Sequence, residues 1–277
     1  MNQDKYNIKY FEKNGIKIEY LLEGDEQNDT IIFMHSMSAN IKQFMPHVKY
    51  FTKEYRVLCM SYRGHGNSFS PKSLESYALS EFASDVKMLV DDLGIKSFHY
   101  VGNSFGGLIG YELLKLHPQY FKSMTTLGTP IEVPLSRLTA FLFALYMVKM
   151  LSLCKFNIFR KLISNIAAIS EENRNFLYEE ILNNVNLKTT FYSEINLYEH
   201  SYINLLQNVS FPFLIIMPEF DTIINFILKN DLKSISNKPN IQIKELKNAG
   251  HIANLDAPDE LNKIISDFLN NINKQIK

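Results

Sequence analysis

The chain has 277 residues, enough for one large α/β domain or for one domain carrying an insertion. Its 29 basic and 29 acidic residues cancel at a pI near 7.1, so no overall charge footprint points to nucleic acid or to an anionic membrane as a partner. Two cysteines, Cys59 and Cys154, cannot build a disulfide framework, and both sit in apolar runs where a small buried side chain fits.

The first residues, Met1 to Lys5, are polar and carry no apolar core of a secretory leader, which sets the expectation of a cytoplasmic protein. Tyr6–Glu12 and Ile16–Leu22 read as two strands joined by Asn14-Gly15, a hairpin signal. Thr30–Met34 is a continuous apolar run, as expected of a strand buried on both faces, and it leads into the loop His35-Ser36-Met37-Ser38-Ala39. Apolar residues at helical spacing follow over 41–51. Arg56–Met60 is a second buried strand, running into the turn-rich segment Ser61 to Ser68. A helix over 80–93 is predicted, with Ser80 as its N-cap and Gly94 as the residue after its end. Then come a strand at Ser97–Val101, a helix from Leu108 and a strand at Ser123–Leu127.

From Glu132 to Asn208 the alternation of strand and helix stops, and the segment reads as helical and free of glycine. The rhythm resumes with a strand at 211–217, a helix at 223–235, a strand at 241–246 and a terminal helix from Pro258. The expected architecture is α/β, a mostly parallel sheet with helices on both faces. Residues 1–131 and 209–277 form the core, and 132–208 an inserted helical cap over the carboxyl edge, where open α/β sheets bind ligands. The most apolar stretch, Leu138–Val148, meets Arg137 and Lys149 too soon for a membrane span of about 20 residues. No stable membrane anchoring is therefore expected. A helix apolar nearly all round reads as one buried between lid and pocket, with an interfacial lid as the alternative.

The chemistry centres on Gly102-Asn103-Ser104-Phe105-Gly106-Gly107, between strand and helix. The pattern G-x-S-x-G is that of a sharp turn that lifts its serine hydroxyl out of the sheet at a helix N-terminus. Glycine at 102 and 106 removes the side chains that would clash there. A serine needs a base, and His251 follows Gly250 at the end of the last strand, at the same sheet edge. The base needs an acid to fix its tautomer. Asp221, after the strand that ends at Met217, is preferred to Glu219 and Glu132, because Glu219 is close enough to the strand end to lie in the turn. Asp256 and Asp259 fit loop support or the start of the last helix, and His65 a structural role. The oxyanion requires two donors. The backbone N–H of Phe105 is one and that of Met37, in the loop after Thr30–Met34, the other.

These motifs resemble the α/β-hydrolase fold family over nearly the whole chain. They are His35-Ser36 after an apolar strand, Arg63-Gly64-His65-Gly66-Asn67-Ser68, Gly102 to Gly107, and Gly250-His251 with Pro258 downstream. The chain order Ser104, Asp221, His251 is the one this fold uses. The sequence departs from the family at Ser36, where relatives carry glycine; if that position needs φ > 0, the oxyanion loop would be distorted. Relatives with aspartate at the nucleophile resemble dehalogenases and epoxide hydrolases, so Ser104 implies ester, lactone, thioester or amide chemistry instead. Asn103 resembles hydrolases of carbon–carbon bonds, but their Gly-Pro-Gly oxyanion loop is missing.

The reading is a serine esterase for a small carboxylic ester, with lactonase, thioesterase, acyltransferase, C–C hydrolase or a ligand-binding protein with a vestigial site as alternatives. His35, Phe141, Leu145 and Tyr146 are the expected pocket residues. No metal or cofactor motif appears, and a monomer or homodimer is expected.

Overall fold

The computed structural model describes residues 6–276. Met1–Lys5, and with them the expectation about a leader, lie outside the described residues, as does Lys277. The chain opens with the hairpin β1 (Ile8–Lys13) and β2 (Ile16–Glu23), turned by Asn14 and Gly15, both at positive φ as a tight hairpin turn demands. β3 (Thr30–Met34) leads through a 3₁₀ turn at Ile41–Phe44 to α1 (Met45–Phe51) and β4 (Arg56–Ser61). After α2 (Leu79–Asp92) come β5 (Phe98–Asn103), α3 (Phe105–Leu116) and β6 (Phe121–Leu127).

The strands assemble in the order β1-β2-β4-β3-β5-β6, continued on the far side by β9 (Phe213–Pro218) and β10 (Ile241–Leu246). Only the pairs β1/β2 and β2/β4 are antiparallel; every other neighbour is parallel. β3 has β4 on one side and β5 on the other, so successive crossovers diverge there and a crevice opens between the carboxyl ends of β3 and β5.

Alternation along the buried strands divides the core in two. Ile32, Met34, Leu58 and Met60 pack with Phe82, Val86 and Leu108 of α2 and α3. Ile31, Phe33, Val57 and Cys59 face α1 and the terminal helix α11 (Pro258–Ile276) through Val48, Ile265 and Phe268. Helix α2 starts one residue before the expected cap. Ala78 holds the cap position with no side-chain bond, and Ser80 is an exposed first-turn residue, because Leu79 is already seated in the core. At the other end Gly94, φ +68°, closes the helix as read: its N–H meets the Asp91 carbonyl, and that of Ile95 the Val90 carbonyl.

Between β6 and β9 lie α4 (Arg137–Ser152), α5 (Asn157–Ala167), α6 (Glu171–Phe176), α7 (Leu187–Ile195) and α8 (Ile203–Gln207). The segment is not wholly helical. A two-residue strand at its start, β7 (Glu132–Val133), pairs antiparallel with β8 (His200–Ser201), a ribbon too short to leave a pattern in the sequence. Helix α4 is not buried between a lid and a pocket. It packs on α7, with Ala140, Ala144 and Leu151 as its buried residues, and most of its large apolar side chains stay exposed. α9 (Thr222–Asp231) and the single turn α10 (Ala253–Asp256) complete the fold.

Candidate active site

The turn from β5 to α3 puts Ser104 at φ 52°, ψ −114°, a conformation that costs of order 1–3 kcal/mol for a residue with a side chain. The surroundings hold it there. The Ser104 N–H donates to the Leu127 carbonyl (2.9 Å), and the Tyr100 hydroxyl donates to the Gly106 carbonyl (2.6 Å). A Cβ on Gly106 would stand 2.4 Å from the Met34 carbonyl oxygen, and one on Gly102 2.7 Å from the Gly106 backbone. Glycine at these two places therefore lets β3, β5 and α3 converge under the serine.

His251 and Asp221 arrive from the ends of the two strands beyond β6. Ser104 Oγ donates to His251 Nε2 at 3.0 Å, and His251 Nδ1 donates to Asp221 Oδ2 at 2.7 Å. Asp221 is buried and caps α9 in sequence, while the imidazole is about a third exposed. The aspartate fixes the imidazole with its acceptor nitrogen toward the hydroxyl, the arrangement a base needs. Glu219 is turned away: its carboxylate accepts from the Asn248 N–H (2.9 Å) and pairs with Lys247, and that hydrogen bond holds it below the usual carboxylate range. Asp256 holds the histidine loop, accepting from the Gly250 N–H (3.0 Å) and, across to the cap, from the Ile169 N–H (2.8 Å). Asp259 lies in the first turn of α11. Glu132 bonds to Ser201 on the β7/β8 ribbon.

The N–H groups of Phe105, at the first turn of α3, and of Met37, in the β3 loop, have no acceptor among the described residues. Ser36 is not at positive φ; the strained residue of this loop is Ser38, at φ +61°. The serine in place of the family's glycine is instead built in. Its N–H (2.8 Å) and hydroxyl (3.0 Å) both donate to Gln43 Oε1, and its carbonyl accepts from the Tyr62 hydroxyl (2.9 Å). The Ser38 N–H donates to His65 Nε2 (3.1 Å), and burial pushes His65 down to about 4, which keeps that nitrogen a free acceptor at neutral pH.

Gln43 is a residue that sequence reasoning missed. It is fully buried, and its Nε2 donates to Asn103 Oδ1 (2.7 Å) and to Asn254 Oδ1 (2.8 Å). One amide thus ties the oxyanion loop, the residue before the nucleophile and the turn after the histidine. Asn254 Nδ2 returns a bond to the Gln43 carbonyl (2.7 Å), and the Asn254 carbonyl is 3.0 Å from His47 Nε2. In the sequence, a glutamine off the apolar stripe of a short helix reads as facing water.

The expected pocket residues are placed otherwise. His35 is buried beneath the loop, its Nδ1 2.8 Å from the Ser36 carbonyl and its ring stacked 3.8 Å from that of Tyr62. Burial holds it well below the usual histidine range, so it is a neutral wedge. Phe141 touches the Phe191 ring edge-on and, like Leu145 and Tyr146, is roughly half exposed. An open cleft of about 830 Å³ lies between the first hairpin and the cap, lined by Ser38, Lys42, His65, Glu180 and Thr190 among others; no triad side chain lines it.

A family model described as "alpha/beta hydrolase fold" matches residues 29–258. Among curated proteins, "Epoxide hydrolase 3" of Xenopus tropicalis is 24% identical, with 92% of this chain matching 75% of that protein. "3-oxoadipate enol-lactonase 2" of Acinetobacter baylyi is 29% identical over 118 residues, 43% of each chain. Among solved structures, an esterase from Thermogutta terrifontis superimposes with a TM-score of 0.79 at 17% identity, covering 96% of this chain and 97% of that one, a likeness of fold.

Proposed function

The chain belongs to the α/β-hydrolase fold family, and on that premise we propose that it is a serine hydrolase cleaving a small carboxylic ester through an acyl-enzyme. The observation that carries this reading is the unbroken line Ser104 Oγ, His251 Nε2, His251 Nδ1, Asp221 Oδ2, beside two unpaired backbone N–H groups. His251 Nε2 takes the hydroxyl proton as Ser104 Oγ bonds to the ester carbonyl carbon. The carbonyl oxygen becomes an oxyanion, which the N–H groups of Phe105 and Met37 hold. Collapse breaks the bond to the alcohol, and the imidazolium gives that oxygen its proton. Water then repeats the sequence: His251 takes its proton, hydroxide attacks the acyl carbon, and the acid leaves as Ser104 recovers its hydrogen.

Ser104 separates the chain from relatives that attack with aspartate, so epoxide opening is not the favoured chemistry despite the likeness to an epoxide hydrolase. A lactone is an internal ester and needs no other machinery; the likeness to an enol-lactonase makes it the second substrate class to try.

Treatment with a fluorophosphonate probe, with Ser104→Ala as control, tests the mechanism. Wild type is expected to label and to turn over p-nitrophenyl esters of graded acyl length, and the variant to do neither. If wild type stays unlabelled, Ser104 is not activated and the reading falls.

A further inference from the structure

Residues 133–170 contain no aspartate or glutamate, yet carry Arg137, Lys149, Lys155, Arg160 and Lys161, in a chain whose formal charge is zero. The same stretch holds a concentration of exposed large apolar side chains. On α4, Leu138 (67%), Leu142 (54%) and Phe143 are open to solvent. On α5, Ile158 (75%), Leu162 and Ile166 (78%) recur every fourth residue. A stripe of that spacing ordinarily faces a core; here it faces outward, with Lys155 and Lys161 exposed on the same cap.

We propose that α4 and α5 dock the cap reversibly onto an anionic phospholipid surface, the apolar side chains entering the headgroup boundary and the basic residues meeting the lipid charge. Charge selects the occupant. The five basic residues of 133–170 rim the apolar face, with Glu171 and Glu179 beside Ile158 and Lys161, and a segment of that charge around an apolar face is complementary to an anionic bilayer. A second copy of the chain would instead bring two such rims together, like charge against like. Nor is the helix a span. Arg137–Lys155 is long and apolar enough to cross a membrane by length and composition. However, α4 packs along α7 with Ala140 and Ala144 buried, and its N-terminal end is tied: Ser136 caps it, and the Leu135 carbonyl accepts from the Glu199 N–H. Docking places the cap, whose Ile169 N–H is bonded to the Asp256 that also holds the His251 loop, against the phase in which long-chain esters dissolve. That consequence rests on the ester reading; docking itself does not.

The test is flotation with vesicles of equal parts phosphatidylglycerol and phosphatidylcholine, against vesicles of phosphatidylcholine alone. The full chain is expected to float with the anionic vesicles, more weakly as salt is raised, and poorly with the neutral ones. Lys149→Glu with Lys155→Glu is expected to weaken binding by at least about 25-fold, from about 5-fold per basic residue. Leu142→Ser with Ile158→Ser, both at exposed positions, is expected to weaken it at least about tenfold with an unchanged melting temperature. Absence of flotation overturns the proposal, as does flotation that neither double variant weakens. A dimer in light scattering that Leu142→Ser with Ile158→Ser turns to monomer would assign the face to a second copy, and overturns it too. Ser104→Ala is floated alongside. A chain that floats but never labels with fluorophosphonate retires the ester reading and keeps this one.

Discussion

The carboxyl edge of the sheet and the outer face of the cap treat polarity in opposite ways. At the edge, Gln43, Asn103 and Asn254 are fully buried, and their side-chain amides bond one another, the Ser36 loop and neighbouring carbonyls. On α4 and α5 most of the large apolar side chains are outside, and small Ala140 and Ala144 are inside. A buried amide left without partners costs about 1–3 kcal/mol, so a fully bonded set fixes one arrangement of three loops. Exposed apolar area, at about 25 cal/mol per Å², fixes nothing inside the molecule and is recovered only by contact with something else. The edge is built to hold atoms still; the outer cap is built to meet a surface.

If that contrast is right, damage to one region leaves the other's property intact. Asp221→Asn is the hardest test. The amide removes the acceptor that orients His251 Nδ1–H, and a loss of about 10⁴ in kcat is expected, as for Ser-His-Asp sites generally. Vesicle flotation should be unchanged. Coupled loss of both would show that edge and cap are one device, and would break the comparison.

Gln43→Leu comes next, at about 10²-fold in kcat. It removes the acceptor of the Ser36 N–H and hydroxyl and the donor to Asn103 and Asn254, so the oxyanion loop, the elbow and the histidine turn lose their common anchor. Gln43 touches no reacting atom, so its role is positioning. KM for p-nitrophenyl acetate should stay within about twofold, because the loss falls on transition-state geometry. A merely structural role would lower the melting temperature and leave kcat of the folded protein unchanged.

What the sequence disclosed follows the same division. The strands were legible because a doubly covered parallel strand is a plain apolar run, as in Thr30–Met34, and the turns because Gly94 and Asn14-Gly15 have conformations other residues avoid. The three residues that the structure brings into one line were legible because glycine marks the turn at Ser104 and chain order marks the ends of β9 and β10. The amide network was not, since no local pattern says that Gln43 faces Asn254 across 211 residues. Nor was the exposure of α4, because composition gives the character of a helix and not what covers it. Phe141, Leu145 and Tyr146, expected at a pocket, are side chains about half open to solvent.

The underside of the cap offers a smaller effect. Glu194 on α7 is buried, and burial raises its carboxyl to about 7. Between pH 4.5 and about 7 the unfolded chain loses this proton while the folded one keeps it, so stability falls as pH rises through that window and levels off above it. The penalty at pH 8 is at most about 3 kcal/mol. Glu194→Gln is expected to melt up to about 5 °C above wild type at pH 8 and level with it below pH 4.5. Equal melting at both ends would mean that the inner face of the cap is wet, and that inside and outside differ less than their side chains suggest. The buried His65, held at about 4, acts in the opposite direction, losing stability as pH falls from 6.5 toward 4. It is common to both proteins and cancels in the difference.

The smallest expected effect bears on Ser36. The family resemblance implies glycine there, and a loop that needed φ > 0 would work better with it. Here the residue is not at positive φ, and its hydroxyl is one of two donors to Gln43 Oε1. Ser36→Gly therefore removes a buried hydrogen bond and frees the backbone, each a loss of about 1 kcal/mol, with no strain to relieve. A melting temperature lower by about 2–4 °C and a kcat lowered no more than about fivefold are expected, since the Ser36 N–H keeps its bond to Gln43 and Met37 keeps its place. A gain in kcat would mean that the serine distorts the oxyanion loop, and that the edge of the sheet is less settled than its hydrogen bonds make it.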